Sequence, residues 1–554
     1  MKNRGVLLIL VPVIIGAVVS VGFKSDDRNF QISRSLETFH AVFRELDMFY
    51  VDTIDARKVI NKGIDYMLSS IDPYTVFYPE DNQKDLKMLT TGKYAGIGAI
   101  IRKYNEKDYV VIQEIYENMP ADKWGVKAGD MLIEIDGKNL KNLPVSNVSD
   151  RLRGEPDSKF VLTVKRPGVE DTLRINITRS GITLPSVPYY GLLNDVGYIL
   201  IESFTEGCSR DVRKAVIELK SAGATSIIVD LSNNGGGLLG EAVEVVTLFV
   251  PKGTLVVTTR GKTRQSSADY YTKREPLDTK IPLAIIVNEA SASASEIVAG
   301  ALQDMDRAVI VGSRTFGKGL VQTTRQLPYN GTLKVTTSKY YMPSGRCIQA
   351  IDYSNRNPDG TADKVQDSLT NLFYTVSGRE VRDGGGVRPD IISVYDTIPE
   401  IIYTLSVDWL MFDFLNDYCL KHPSIPAIDL FQISDSLYLS FKEYVINSGF
   451  TFKSQSGKAL DALRMLASIE GLYDKASEEF AALEKKLEYD LNKDIDLFSD
   501  HIKTMLGVEI VNRYYYQKGR VRQAIKNDKI VETAATVLTD KQRYASILNI
   551  KISD

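Results

Sequence analysis

From Ile177 to Ile392 the chain alternates short apolar runs with amphipathic ones: "VGYILIESF", "SRDVRKAVIELKSAG", "SIIVDL", "GEAVEVVTLFV", "LAIIVN", "SEIVAGALQD" and "AVIVG" follow in that order. Short continuous apolar runs suit strands buried on both faces, and the 3.6-residue periodicity between them suits crossover helices. This order predicts a multidomain α/β protein whose central layer is a buried parallel sheet.

The flanks differ in texture. From about Phe30 to Met88, "LETFHAVFRELDMFYV" and "ARKVINKGIDYMLSSI" repeat at helical spacing until Pro73 breaks the pattern. From about Gly92 to Pro167 the short β-like runs "GIGAIIRKY", "YVVIQEIY", "DMLIEIDG" and "KFVLTVKR" are punctuated by glycine and predict a small β-rich domain. From about Pro399 to Asp554 the pattern is again helical, with Phe480, Leu483, Leu487 and Leu491 spaced as one apolar stripe. The expected divisions are 1–25, 26–90, 91–170, 171–395 and 396–554.

A net charge of -3 over 554 residues offers no basic surface for a nucleic acid. Cys208, Cys347 and Cys419 lie far apart with no C-x-x-C pair, which excludes a zinc ribbon and a disulfide scaffold but leaves room for one bridge. At the N-terminus, Lys2 and Arg4 precede the apolar stretch Val6 to Phe23. Positive charge before an apolar run sends the following chain out of the cytoplasm, and an uncleaved anchor and a cleaved signal both fit.

Three motifs in the α/β region carry chemistry. "DLSNNGGGLL", Asp230 to Leu239, is a glycine turn after a strand, where outward N–H groups suit a phosphate or an oxyanion. "NEASASASEIVAGALQD" places alternate serines between a strand and a helix that begins near Ser295 and Glu296. The positive end of that helix favours developing negative charge, although a serine there also serves as an ordinary cap. "VGSRTFGKGL" nearly matches a phosphate loop, but Gly319 stands where a magnesium-binding hydroxyl belongs, and "LVQTTRQL" continues as a strand or irregular turn.

A serine nucleophile needs a base, and His40, His422 and His501 all lie outside the α/β segment. A lysine serves instead if burial keeps its amine neutral, and Lys318 follows an apolar strand beside Phe316. Gln322, four residues on, falls on the same side of the chain and can orient that amine.

These motifs, with "LKVTTSKYYMPSGRCI" and "DGGGVRPDI", closely resemble in order and spacing the carboxyl-terminal processing peptidases, tail-specific serine proteases of bacteria and plastids. The resemblance spans about residues 30 to 395. It implies a ClpP/crotonase-like protease core at 171–395, a PDZ domain at 91–170, and helical N- and C-terminal regions. It places the nucleophile on Ser293, the base on Lys318 and its orienting glutamine on Gln322. The oxyanion donors fall on the N–H of Ala294 and of Gly236, with Gly237 as the neighbouring alternative. Ser232 stands where the family often has arginine. "YAGIGAII" resembles a PDZ carboxylate-binding loop at Gly96, Ile97 and Gly98, and "MPADKWGVKAGDMLIEIDG" supplies a second PDZ signature.

The resemblance thus implies an exported endopeptidase on the periplasmic side of the inner membrane, acting without metal or organic cofactor on proteins with unstructured apolar C-termini. It further implies control by PDZ movement and self-association through the terminal helices. The region 396–554 lies beyond the family pattern, with dimerisation, adaptor binding and access control all open. Two other classes compete: an inactive PDZ scaffold binding C-terminal tails, and an acyl-CoA enzyme on the related crotonase fold. Intact Ser293, Lys318 and Gln322 weigh against the first; the export segment and PDZ signatures weigh against the second.

Overall fold

The structure, a computed structural model, describes residues 4–80, 83, 91–104, 108–357, 361–395, 399–452, 454–487 and 490–551, with side chains from residue 27 onward. The chain divides into two compact units, Met1–Phe77 and Tyr78–Asp554. The first is helical, with helices Arg4–Phe49 and Ala56–Ser69. Asp55 caps the second helix by accepting the Lys58 N–H at 3.1 Å, which satisfies one of the donors a helix start leaves open. Beyond it Asp72 accepts the N–H groups of Tyr74 and Thr75 at 2.8 and 2.7 Å, a side-chain turn around Pro73. Among the described residues no helix is long and apolar enough to cross a membrane. The apolar stretch Val6 to Phe23 lies outside the residues whose side chains are described.

In the second unit the expected parallel layer is present. Strands Val196–Leu200, Ser226–Asp230, Leu283–Val287, Val309–Gly312 and Ile391–Ile392 run parallel in that spatial order, and Tyr189–Leu193 pairs antiparallel at one edge. Alternate residues leave the sheet on opposite faces, so Ile227 and Val229 pack with helices Cys208–Ser221, Leu239–Thr247 and Ala294–Asp304. Ile228, Ile286 and Val311 pack instead against Ile530, Ala534 and Val537 of helix Lys529–Thr539. The end of the chain therefore completes the core of the α/β layer. Each large aliphatic side chain so buried contributes roughly 1.5–3 kcal/mol.

The PDZ-like domain is an antiparallel sheet in the order Ala99–Lys103, Val110–Ile115, Met131–Ile135, Lys159–Lys165 and Leu173–Thr178. Its last strand lies beyond residue 170, where the sequence placed the boundary, although "LRINIT", Leu173–Thr178, alternates apolar and polar residues as a half-buried strand does. Helix Val145–Leu152 buries Val148 and Leu152 in this domain's core. A ribbon pairing Lys93–Gly96 with Ser180–Thr183 brings its two chain ends together.

Helices Glu400–Val407, Leu410–Lys421, Asp435–Asn447 and Ser499–Ala524 share a separate core of Leu405, Leu415, Phe441, Ile502 and Ile510. The apolar stripe from Phe480 to Leu491 is not one surface. Phe480 is buried, Leu483 is 43% exposed, and Leu491 opens a separate helix, Leu491–Leu497, after Asp490 caps it. All three cysteines are free, so the one bridge left open is not formed.

Candidate active site

The three serines between strand Leu283–Val287 and helix Ala294–Asp304 have different fates. Ser291 and Ser295 are fully buried, their hydroxyls donating at 2.8 Å to the carbonyls of Leu231 and Asn234. Both are struts that dock this elbow onto "DLSNN". Ser293 alone is partly exposed, at φ 57° and ψ -112°, a backbone setting that costs a non-glycine residue of order 1–3 kcal/mol and is held only where surroundings dictate it.

Glu296 supplies that constraint. This fully buried carboxylate accepts the Ser293 N–H at 2.8 Å and the Lys318 N–H at 2.8 Å on Oε2. On Oε1 it accepts the Thr315 hydroxyl at 2.6 Å and the Gly317 N–H at 2.7 Å. Burial pushes the Glu296 carboxyl above its ordinary range while these four donors pull against it. The Tyr340 hydroxyl, also buried, reaches the carbonyls of Ser293 and Lys318. Main chains at Ser293 and Lys318 are thereby tied side by side from two directions. Sequence reading missed both ties. The S-x-x-E spacing of Ser293 and Glu296 is a visible capping pattern, whereas Tyr340 left no local signal.

The glycines flanking Lys318 serve close packing. A Cβ on Gly317 would lie 2.3 Å from that of Ala350, and one on Gly319 would lie 2.8 Å from the Gln349 nitrogen. "LVQTTRQL" is strand Leu320–Gln326, paired antiparallel with Thr332–Tyr341 through an irregularity between Val321 and Gln322. The Gln322 side-chain amide donates to the Thr336 hydroxyl at 3.2 Å, which orients the group and leaves its oxygen as an acceptor.

On the other wall, Asn233 and Asn288 bond reciprocally at 2.9 and 3.0 Å, and Asn234 accepts the Ala292 N–H at 3.0 Å through its carbonyl. Ser232, in the position where the family often has arginine, gives its N–H to Asp230 at 2.7 Å. Gly236, at φ 100°, sits so close that a Cβ there would be 2.8 Å from Ser293 Cβ and 2.9 Å from the Ala294 nitrogen. Its own N–H donates to Asn234 Oδ1 at 2.8 Å. Gly237 is exposed, and among the described residues its N–H donates to no group. Ala294, fully buried, begins the helix, whose dipole and first N–H groups face the Ser293 side.

In the PDZ-like domain, Gly96 and Ile97 line a cavity of about 160 Å³ with Tyr94, Ile101, Leu152 and Arg153. Strand Ala99–Lys103 is an edge strand there, open on one side to an added strand. Gly98 does not line this cavity, and its carbonyl accepts the Tyr116 N–H at 3.1 Å. Burial pushes the Tyr94 phenol up, with the Arg153 guanidinium, 5.4 Å over its ring, opposing the shift. His422 and His501 sit on or beside C-terminal helices, against Tyr418 and Phe498. Among the described residues no group of acidic, histidine or cysteine side chains could hold a metal.

Comparison with known proteins identifies a serine-type peptidase that carries a PDZ domain. Residues 195–359 match peptidase family S41, residues 111–166 match the PDZ domain, and residues 401–538 match the C-terminal helical domain of probable PDZ-proteases. The chain is 37% identical over 322 residues to a carboxy-terminal-processing protease of Bartonella bacilliformis, covering 57% of this chain and 73% of that one. It is 32% identical over 384 residues to a probable CtpA-like serine protease of Staphylococcus aureus, covering 68% and 75%. Among solved structures it is similar to the photosystem II D1 C-terminal processing protease, at 29% identity and a TM-score of 0.34, covering 56% of this chain and 89% of that one. The chain belongs to the carboxy-terminal-processing proteases of peptidase family S41.

Proposed function

We propose that this protein is an exported endopeptidase that captures unstructured apolar C-terminal tails in its PDZ groove and cleaves them with a Ser293–Lys318 dyad. The observation carrying this reading is the single Glu296 oxygen that accepts the N–H groups of both residues. In the proposed reaction, the neutral Lys318 amine takes the Ser293 hydroxyl proton as Oγ attacks the scissile carbonyl. Gln322 orients the amine. The tetrahedral oxyanion is held by the N–H groups of Ala294 and Gly237, the latter favoured over Gly236 because Gly236 already donates to Asn234. Collapse expels the leaving amine, which takes the proton from Lys318, and water then hydrolyses the acyl-enzyme by the same proton relay. A tail carboxylate is received at Gly96 and Ile97 near Arg153, while the tail adds as a strand to Ala99–Lys103.

The test uses an unfolded reporter protein ending in apolar residues. Wild type cleaves it, whereas Ser293→Ala and Lys318→Ala each lose at least about a thousandfold in kcat while still binding the tail. Cleavage persisting in Ser293→Ala ends the dyad reading. Equal cleavage of a reporter with an amidated C-terminus removes the carboxylate argument. Export is tested separately by fractionating cells that produce the full chain.

A further inference from the structure

A second cavity, of about 420 Å³, lies between the PDZ domain and the C-terminal helices. Its PDZ wall includes Glu114 and Ile115 of strand Val110–Ile115, and its helical wall includes Leu420, Asn512, Arg513 and Tyr514. Glu114 is only 9% exposed, and its Oε1 has no hydrogen-bond partner. Asn512 is 8% exposed, and its Oδ1 has none either. Arg513 gives Nη1 to Asn416 Oδ1 at 3.0 Å and leaves Nη2 without a partner.

Buried charges are costly unless paired, and these two are of opposite sign. Yet among the described residues no ion pair joins them; they line a common cavity instead. Its size falls in the range of small-ligand sites, and a mostly apolar wall with a few convergent polar groups is their usual construction. The missing element is a group that offers donors to a carboxylate and a carbonyl oxygen, and acceptors to a guanidinium. We propose that this cavity binds a small apolar zwitterion, a free aliphatic amino acid or short peptide, with its ammonium at Glu114 and Asn512 and its carboxylate at Arg513. Ile115, Leu420 and Tyr514 receive the aliphatic side chain. Such a ligand bridges the PDZ domain to the helical region, and short peptides are what a peptidase releases.

The full chain carrying Ser293→Ala, which cannot consume a peptide by the proposed chemistry, is titrated calorimetrically with leucine, N-acetyl-leucine, leucinamide and leucyl-leucine. Leucine is expected to bind about tenfold tighter than either blocked form, one charged contact being lost in each. Glu114→Gln, close in shape, erases the difference between leucine and N-acetyl-leucine, and Leu420→Trp, which fills the cavity without removing a charge, abolishes binding. Tighter binding of leucyl-leucine than of leucine identifies a peptide as occupant, and the reverse a free amino acid. The PDZ groove has no need of a free amine, so equal binding of leucine and N-acetyl-leucine, or binding unaltered in Glu114→Gln, overturns the proposal. So does an absence of binding at millimolar concentration.

Discussion

Ser293 and Lys318 hang their main-chain N–H groups on one atom, Oε2 of Glu296, at 2.8 Å each. Their main chains are therefore no farther apart than two hydrogen bonds, whatever the loops between them do. The same carboxylate holds Thr315 and Gly317 through its other oxygen, so the lysine-bearing loop is anchored at both ends of one side chain.

Glu296→Gln is expected to damage activity more than folding. Glutamine keeps one acceptor and turns the other into a donor that faces N–H groups, leaving two buried bonds unmade at roughly 2–4 kcal/mol in all. We expect kcat to fall at least about a hundredfold with the chain still folded, as read from reporter cleavage and urea unfolding. Activity within a few-fold of wild type would remove Glu296 from the account.

Gly236→Ala tests the opposite wall. The added Cβ would meet Ala292 O at 2.7 Å as well as Ser293 and Ala294, in a backbone setting at φ 100° that suits glycine. The loop has to retreat from Ser293, and a loss of about a hundredfold or more in kcat/KM is expected with circular dichroism unchanged. A fully active Gly236→Ala enzyme would mean that this wall does not contribute to the oxyanion site.

Arg346 and Asp304 form an ion pair at 2.8 Å with both side chains fully buried, at the C-terminal end of the helix that begins after Ser293. Arg346 also donates to Gln303 Oε1 at 2.8 Å. Arg346→Met strands a buried carboxylate, and denaturant unfolding should show a loss of about 3–5 kcal/mol. Adding Asp304→Leu should restore part of it; a double variant less stable than the sum of the single losses would contradict an electrostatic cause.

Asp278 connects stability to pH. Burial pushes its carboxyl up, but the Lys220 ammonium and the N–H groups of Lys280 and Ile281 outweigh this and bring it down to about 2. A depressed folded value means that the contribution is present above the unfolded value of about 3.9 and lost as pH falls through the folded one. The Tm gap between wild type and Asp278→Asn should stay level from neutral pH to about 5, then close as pH falls toward about 2. A gap that widens on acidification would reverse the assignment.

Much of the core could be read without coordinates because its signals are local. "SIIVDL" and "LAIIVN" are short apolar runs that only a strand buried on both faces accommodates, and they lie side by side in register, Val229 against Ile285. The alternate serines and the glycine-flanked lysine also stood out locally, but which serine was free did not. Ser291 and Ser295 are withdrawn from chemistry by the carbonyls of Leu231 and Asn234, some sixty residues earlier. The edge of the PDZ domain was placed too early, and the stripe through Leu483 and Leu491 was read as one face when a capped break separates them.

Periodicity and spacing by themselves determined the parallel layer, the β-rich insert, the helical flanks and the serine and lysine motifs, because each depends on residues within a few positions of one another. Tertiary structure alone decided that Glu296 and Tyr340 bind the two motifs together, that Gly236 spends its N–H internally, and that helix Lys529–Thr539 closes the second face of the sheet. Those relationships arise when distant segments pack, and the buried donors and apolar faces they satisfy carry no periodic mark in the chain.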